Sequence, residues 1–166
     1  MQHIEPMTLF GYEKLQAELK QLREVVRPQI VKDIDEARSH GDLKENAEYH
    51  AAKENQRITD QKIAEISELL ANSKIVDPSE LEHSKISFGS TVKLCDLDDD
   101  SDLVYTIVGG CESDPDTGLI SFNSPLAKAL LGHKEGDEVK LVLGGKKREL
   151  EVLEVSYKEI VFECKY

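Results

Sequence analysis

Two carboxylates three residues apart, Asp42 and Glu45, stand inside a charged stretch, HGDLKENAEYHAAK at 40–53, with Arg38, Lys44 and Lys53 close by. Such a pair can do one of two things. Asp-Leu-Lys-Glu matches a capping box, with Asp42 as N-cap and Glu45 at the third helical position, where both charges would also complement the helix dipole. Alternatively, the pair can supply part of a Mg²⁺ shell. Mg²⁺ takes six oxygens in near-octahedral array and keeps several waters, so one or two carboxylates complete a site only when other oxygens are at hand. Two exposed acids cannot hold the ion tightly by themselves. They can complete a half-built site on a partner that already carries a metal and a phosphate, the arrangement of two-metal phosphodiester hydrolysis. Arg38 and Lys53 can meet a phosphate, or serve only as a solvated helix face.

The flanking segments must position these residues. From Leu15 the apolar positions run Leu15, Leu19, Leu22, Val26, Ile30, Ile34 and Ala37, the stripe of an amphipathic helix. Pro28 interrupts it, which removes a hydrogen bond and favours a kink, and the four-residue steps around it resemble a stutter that loosens a supercoil. After Gly41 a second stripe is expected at Ala51, Asn55, Ile58, Lys62, Ile66 and Leu69, flanked by Ile63 and Leu70, with polar residues breaking the seam. Two helices of about 28 residues, at 1.5 Å rise, span roughly 40 Å, and a short connection makes them antiparallel. The expected product is a hairpin over 1–76 with a charged tip, suited to reaching where a globular body cannot.

Residues 77–85 are polar with a proline and predict a linker, and beyond them the period changes to two. Strands are expected at 86–97, 103–108, 119–122, 138–143, 148–156 and 160–164. One helix interrupts them, with Ser124 as cap, Pro125 in its first position and Gly132 at its end. The fold class is α+β in two domains: a helical coiled-coil hairpin and, over 86–166, a small antiparallel α+β domain. Five aspartates within 96–102 lack the glycine and distal glutamate of an EF-hand loop and predict a solvated hairpin turn.

Composition narrows the function. The net charge of −12 argues against a general DNA-binding surface, because nucleic-acid affinity rests on neutralising phosphates. Residues 1–76 hold 11 Lys/Arg against 14 Asp/Glu, and 77–166 hold 10 against 19, so any nucleic-acid contact must be local and in the first half. No run approaches 18 apolar residues, so no membrane span or membrane partner is expected, and the start lacks the pattern of a signal peptide. Cys95, Cys111 and Cys164 have no metal-type spacing and fit reduced thiols of a cytoplasmic protein. His40 and His50 near Asp42 invite a zinc reading, but imidazole ligands need an orienting second shell and no cysteine is near. Gly-rich phosphate loops, nucleophile elbows and Cys-x-x-Cys pairs are absent from the sequence, which makes independent catalysis unexpected.

Several motifs together resemble one family. They are Met-Thr-Leu at 7–9 with Glu-Lys-Leu at 13–15, GDLKENAEYHAAK at 41–53, Ile-Val-Asp at 75–77, Phe-Gly-Ser-Thr-Val at 88–92 and SPLAKALLG at 124–132. In this order they resemble the bacterial Gre transcript-cleavage factors, and the GreA branch in particular, over essentially the whole chain. The resemblance implies a coiled-coil hairpin and an FKBP-like domain. It also implies a partner and a mode of action. The hairpin enters the secondary channel of a backtracked bacterial RNA polymerase and stimulates the polymerase's own cleavage of the extruded RNA 3′ end. By the same resemblance Asp42 and Glu45 are the tip acids that share a Mg²⁺ with the polymerase, none being held tightly by the free chain. Arg38 and Lys53 are the basic patch that contacts RNA, with Arg57 a weaker addition. Ser124, Pro125 and Leu126 are the turn that docks on the channel rim. Some relatives lack the acids and inhibit instead; this chain keeps both, so a cleavage-competent factor is expected.

Two rivals remain. One is a prolyl isomerase or chaperone built on the second half, although such a pocket is normally lined with aromatics and this half holds only Phe88, Tyr105, Phe122, Tyr157, Phe162 and Tyr166, several at strand positions expected in the core, and no tryptophan. The other is a passive coiled-coil adaptor.

Overall fold

A computed structural model describes residues 4–42 and 44–162. The first apolar stripe folds as a continuous helical run: α1 (Leu9–Gln21), a π-helical segment (Leu22–Val26) and α2 (Arg27–Arg38). The irregularity expected at Pro28 lies just before it. Arg27 N–H donates to the Leu22 carbonyl, a five-residue step, and Pro28 then occupies the first turn of α2. Proline has no N–H for the carbonyl four residues back. A wide π turn at that point also takes up surplus rotation, so Leu22, Val26, Ile30 and Ile34 keep one face despite their four-residue spacing. Leu15, Leu22, Ile30, Ile34 and Ala37 are all buried, as the stripe predicts.

The second helix, α3 (Ala47–Ala71), corrects the expected seam. Its buried positions are Ala52, Thr59, Ile63 and Ile66, with Tyr49, Gln56 and Leu70 half-buried between and beyond them. These are alternating steps of three and four. Ala51, Asn55 and Lys62 face solvent, and Ile58 is 50% exposed. The phase is decided by the partner. Ala52 packs with Ile30 and Ile34, flanked by Val26 and Tyr49, and a small residue there admits close helix approach. Lys62, once off the seam, pairs with Glu18 at 2.8 Å, and Arg27 pairs with Asp60 at 3.2 Å. Exposed pairs of this kind add little stability, but they suit only this register.

The second unit gathers the chain from Lys74 onward together with Ile4–Gly11. The first strand thus packs with the second unit, while the other unit runs from Tyr12 to Ser73. Strand β1 (Glu5–Met7) pairs with β2 (Ser73–Ile75), neither of which alternation alone revealed. Thr8, just after β1, is buried and donates its N–H to Glu112 Oε1 at 2.6 Å and its hydroxyl to the same oxygen. Glu112 is only 4% exposed and also accepts from Gly109 N–H at 3.0 Å.

The main sheet comprises β3 (Thr91–Asp96), β4 (Ser101–Val108), β5 (Leu119–Ser121), β6 (Glu138–Leu143) and β7 (Lys146–Ser156), in the order β5-β4-β3-β7-β6. It is mixed rather than wholly antiparallel, because β4 and β5 run parallel. Between them the chain crosses through the 3₁₀ turns Gly110–Glu112 and Pro115–Thr117, and a crossover of this kind replaces the tight hairpin an antiparallel pair would use. Helix α4 (Pro125–Leu130) buries Ala127 and Leu130 among Ile86, Val92, Leu94, Ile107, Val139, Leu150 and Val152, which form the core of this unit.

Three further expectations change. Residues 77–85 are packed rather than a free linker: Pro78 is buried in a 3₁₀ turn (Pro78–Glu80), and His83 bonds both Ser90 Oγ and the Pro78 carbonyl at 2.6 Å. The expected strand at 86–97 begins only at Thr91, since Gly89 turns at φ +82° against Pro78, where an added Cβ would fall 2.2 Å from the proline. Residues 160–162 of the expected last strand pair with no neighbour strand. Phe162 instead lies flat on Phe10, ring centres 4.4 Å apart, and residues 163 and 164 are outside the described residues. In the aspartate-rich turn, Asp96 and Asp99 accept from the backbone N–H of Asp98 and Ser101 at 3.0 and 2.9 Å. No described helix is long and apolar enough to cross a membrane.

Candidate functional site

Helix α2 stops because its last carbonyls are taken from outside the helix. Ser39 N–H and Oγ both bond the Glu36 carbonyl, at 3.1 and 2.5 Å, and His40 N–H bonds the Ala37 carbonyl at 3.2 Å. Gly41 then takes φ +129°, a conformation that side chains disfavour, although nothing crowds its α-carbon. Helix α3 does not start at Asp42. Its N-cap is Asn46, whose Oδ1 accepts from Tyr49 N–H at 3.1 Å.

The capping box read at Asp42 and Glu45 is therefore not formed. Asn caps as well as Asp, and capping at Asn46 leaves both acids ahead of the helix. Asp42 is exposed and uses Oδ1 to accept from Lys44 N–H at 3.0 Å, a local Asx turn that leaves Oδ2 without a bond among the described residues. Glu45 is exposed, and its carboxylate makes no hydrogen bond or ion pair among the described residues. Both acids line one open concavity with His40, Asn46 and Glu48, the last of these on the first turn of α3. Among the described residues no three His, Cys, Asp or Glu side chains converge to cage a metal ion. The tip offers hard, anionic oxygens in less than a full shell, which is the donor set that suits a Mg²⁺ completed by another molecule.

The basic residues divide. The Arg38 guanidinium sits over the Tyr49 ring, 5.9 Å from its centre, so an aromatic platform on α3 steadies a cation on α2. Lys53 is exposed and without an ionic partner among the described residues. Arg57 is committed elsewhere: it bonds both Glu54 oxygens, at 2.7–3.2 Å, and Gln61 at 3.3 Å. The Arg57 hydrogen bonds hold the Glu54 carboxyl below its ordinary range. His50 does not face the acids as a ligand; its Nε2 lies 3.2 Å from the Lys44 carbonyl, and its ring meets Tyr49 edge-on. Asn46 and Tyr49 escaped the sequence reading, although an Asn one residue before a helical stripe is itself a cap signal.

In the other unit, Ser124 caps α4 by accepting from Ala127 N–H at 3.2 Å, and Pro125 fills the first helical position. Pro125 is exposed while Leu126 packs against the core, so the turn presents a rigid, apolar-edged corner. Asn123, just before it, donates to Glu5 on β1 at 2.9 Å. Gly132, at φ +86°, follows the helix as expected.

Residues 5–75 match the N-terminal domain model of the GreA/GreB transcription elongation factors, and residues 81–157 match the C-terminal domain model. The chain belongs to the GreA/GreB transcription elongation factor family. Within this family it is 60% identical to the transcription elongation factor GreA of Helicobacter hepaticus over 159 residues, covering 96% of this chain and 98% of that one. It is 57% identical to GreA of Helicobacter pylori, over 96% of this chain and 97% of the relative. Among solved structures, GreA factor homolog 1 (Gfh1) of Thermus thermophilus aligns over 92% of this chain and 99% of its own, at 29% identity and a TM-score of 0.43. The family assignment rests on the sequence matches.

Proposed function

We propose that this member of the GreA/GreB family is a cytoplasmic transcript-cleavage factor without independent catalytic activity. Its hairpin tip enters the secondary channel of a backtracked bacterial RNA polymerase and stimulates the polymerase's own hydrolysis of the extruded RNA. The observation that carries this reading is the tip itself. Asp42 and Glu45 stand on a hydrogen-bonded turn ahead of α3, exposed, with Glu45 and one Asp42 oxygen unpartnered among the described residues.

Asp42 and Glu45 are the residues that would hold a Mg²⁺ together with polymerase oxygens; paired with a second ion of the polymerase, it would serve to activate water and stabilise the leaving oxygen. The chain's own part is to add negative oxygens where a positive ion must be retained. Arg38, steadied by Tyr49, and the exposed Lys53 meet the RNA phosphates, whereas Arg57 is weakened as a candidate by its bonds to Glu54. The turn at 124–126 docks on the channel rim, as the exposed Pro125 on a capped helix would suit. We read the second unit as FKBP-like on its curled sheet and α4. Tyr105 packs against the core of this unit, while Tyr157 lines a concavity with Phe10 and Phe162. Phe88 and Phe122 meet edge to face at 6.0 Å, Tyr157 stacks on His83 and Phe162 on Phe10, while Tyr166 is outside the described residues.

The direct test is RNA cleavage by stalled, backtracked bacterial polymerase with and without this protein. Mg²⁺-dependent shortening of the RNA from its 3′ end is expected, and none is expected from the protein with RNA alone. Unchanged cleavage would leave the passive adaptor as the better reading.

A second expectation separates RNA contact from chemistry. Replacing Arg38 and Lys53 by alanine should weaken stimulation most on deeply backtracked complexes, where extruded RNA is longest. Two lost phosphate contacts should also reduce the log–log salt slope by about 1.4, at roughly 0.7 per contact with single strands. Parent-like behaviour across salt and backtrack depth would make both residues a solvated face only.

A further inference from the structure

Asn46 is where the two ends of the tip turn meet. As N-cap of α3 it needs only a side-chain acceptor, and Oδ1 fills that role toward Tyr49. Its Nδ2 does something else. It donates to the Ala37 carbonyl at 2.5 Å, reaching back nine residues into the last turn of α2. The same carbonyl accepts from His40 N–H at 3.2 Å. The described residues between these bonds, Ser39–Asp42 with Lys44 and Glu45, thus stand beyond a neck tied by one half-buried amide side chain. Outside that neck the described loop residues are exposed; Asp42 bonds Lys44, Ser39 bonds the Glu36 carbonyl, and two weaker ties reach α3, His50 to the Lys44 carbonyl at 3.2 Å and Arg38 over the Tyr49 ring.

We propose that Asn46 is a positioning residue for the metal-holding acids: its amide clamps the neck of the tip turn so that Asp42 and Glu45 reach a shared Mg²⁺ together. This rests on the transcript-cleavage reading above and adds a residue to it. Mg²⁺ tolerates little error, since it demands near-ideal octahedral geometry at about 2.0–2.1 Å. Two ligands on an unclamped loop would have to be ordered at the moment of binding, a cost that a closed neck removes in advance. Asn46 itself need not touch the ion.

Two variants of the full chain separate clamp from cap. Serine caps as well as asparagine, but its short hydroxyl cannot cap α3 and also donate to Ala37. Alanine does neither. Stimulated cleavage by backtracked bacterial polymerase is measured across Mg²⁺ concentration, alongside competition with the parent for polymerase and thermal melting. Asn46→Ser should compete like the parent and melt no more than a few degrees lower, yet need about three- to tenfold more Mg²⁺ for half-maximal stimulation, the change expected from losing one net hydrogen bond of the clamp. Asn46→Ala should show at least that Mg²⁺ shift, with lower melting as well. If Asn46→Ser keeps the parent's Mg²⁺ dependence while Asn46→Ala does not, Asn46 is only a cap and the proposal fails. A loss of stimulation by Asn46→Ser that follows its melting or polymerase competition, with no Mg²⁺ shift, overturns it equally. Absence of stimulation by the parent sinks the transcript-cleavage reading itself and is read without either variant.

Discussion

Asp42→Asn combined with Glu45→Gln should leave a protein that folds and binds polymerase but barely stimulates cleavage. The substitution is gentle on the tip. Asn at 42 can still accept from Lys44 N–H, as Asp42 Oδ1 does at 3.0 Å, and position 45 makes no side-chain bond to lose among the described residues. Helix α3 keeps its own N-cap, Asn46, so neither change touches helix initiation. What disappears is the pair of anionic oxygens. Charge stabilisation through a metal is worth several kcal/mol, and each 1.36 kcal/mol is about tenfold in rate. Stimulation should therefore drop on the order of a hundredfold or more. Competition against the parent for polymerase and far-ultraviolet circular dichroism should stay near parent values. Melting, competition and cleavage are to be measured on the same preparation. Near-parent cleavage would make the two acids ordinary surface residues and remove the shared-metal reading.

Glu112→Ala should be the most damaging single change to stability. The carboxylate is 4% exposed and receives three donors: Thr8 N–H at 2.6 Å, the Thr8 hydroxyl, and Gly109 N–H at 3.0 Å. Truncation strands all three in a buried site. Each unpaired buried donor costs about 1–3 kcal/mol, and with partial relief from entering water the net loss should be about 3 kcal/mol. The carboxylate also fills the space beside Gly11, where an added Cβ would lie 2.1 Å from Oε1, so the vacated room adds a cavity cost. A fall in melting temperature on the order of 10 °C is expected. Glu112→Gln should fall between, because its amide oxygen can serve Thr8 while its NH₂ meets the Gly109 donor head-on. If Glu112→Ala melts within about 2 °C of the parent, solvent replaces the carboxylate and the link from β1 to the 109–112 turn carries no weight.

Patterns with short-range causes were readable without coordinates. The stripe from Leu15 to Ala37 is one face of one helix, and its periodicity needs no knowledge of the partner. Strand β6 (Glu138–Leu143) follows alternation alone, and the Ser124–Pro125 start of α4 is a cap with a proline in its first turn. The acid pair and its basic neighbours were likewise visible as residue types at a bend.

The tertiary structure decided what depends on a distant partner. The seam of α3 moved to Ala52 and Thr59 because packing on Ile30 and Ile34 sets its phase, against the pull of an apolar but half-exposed Ile58. The direction of β5 depends on the crossover through two 3₁₀ turns, which alternation cannot report. Strand β1 joined the second unit through Glu112, more than a hundred residues away. At the tip, the sequence by itself determined that Asp42 and Glu45 exist as a pair, while two residues, Asp42 and Asn46, were both chemically able to cap α3. The choice fell to Asn46 because only from there can one side chain cap α3 and also close on the Ala37 carbonyl of the preceding helix, a contact that exists only once the two helices are side by side.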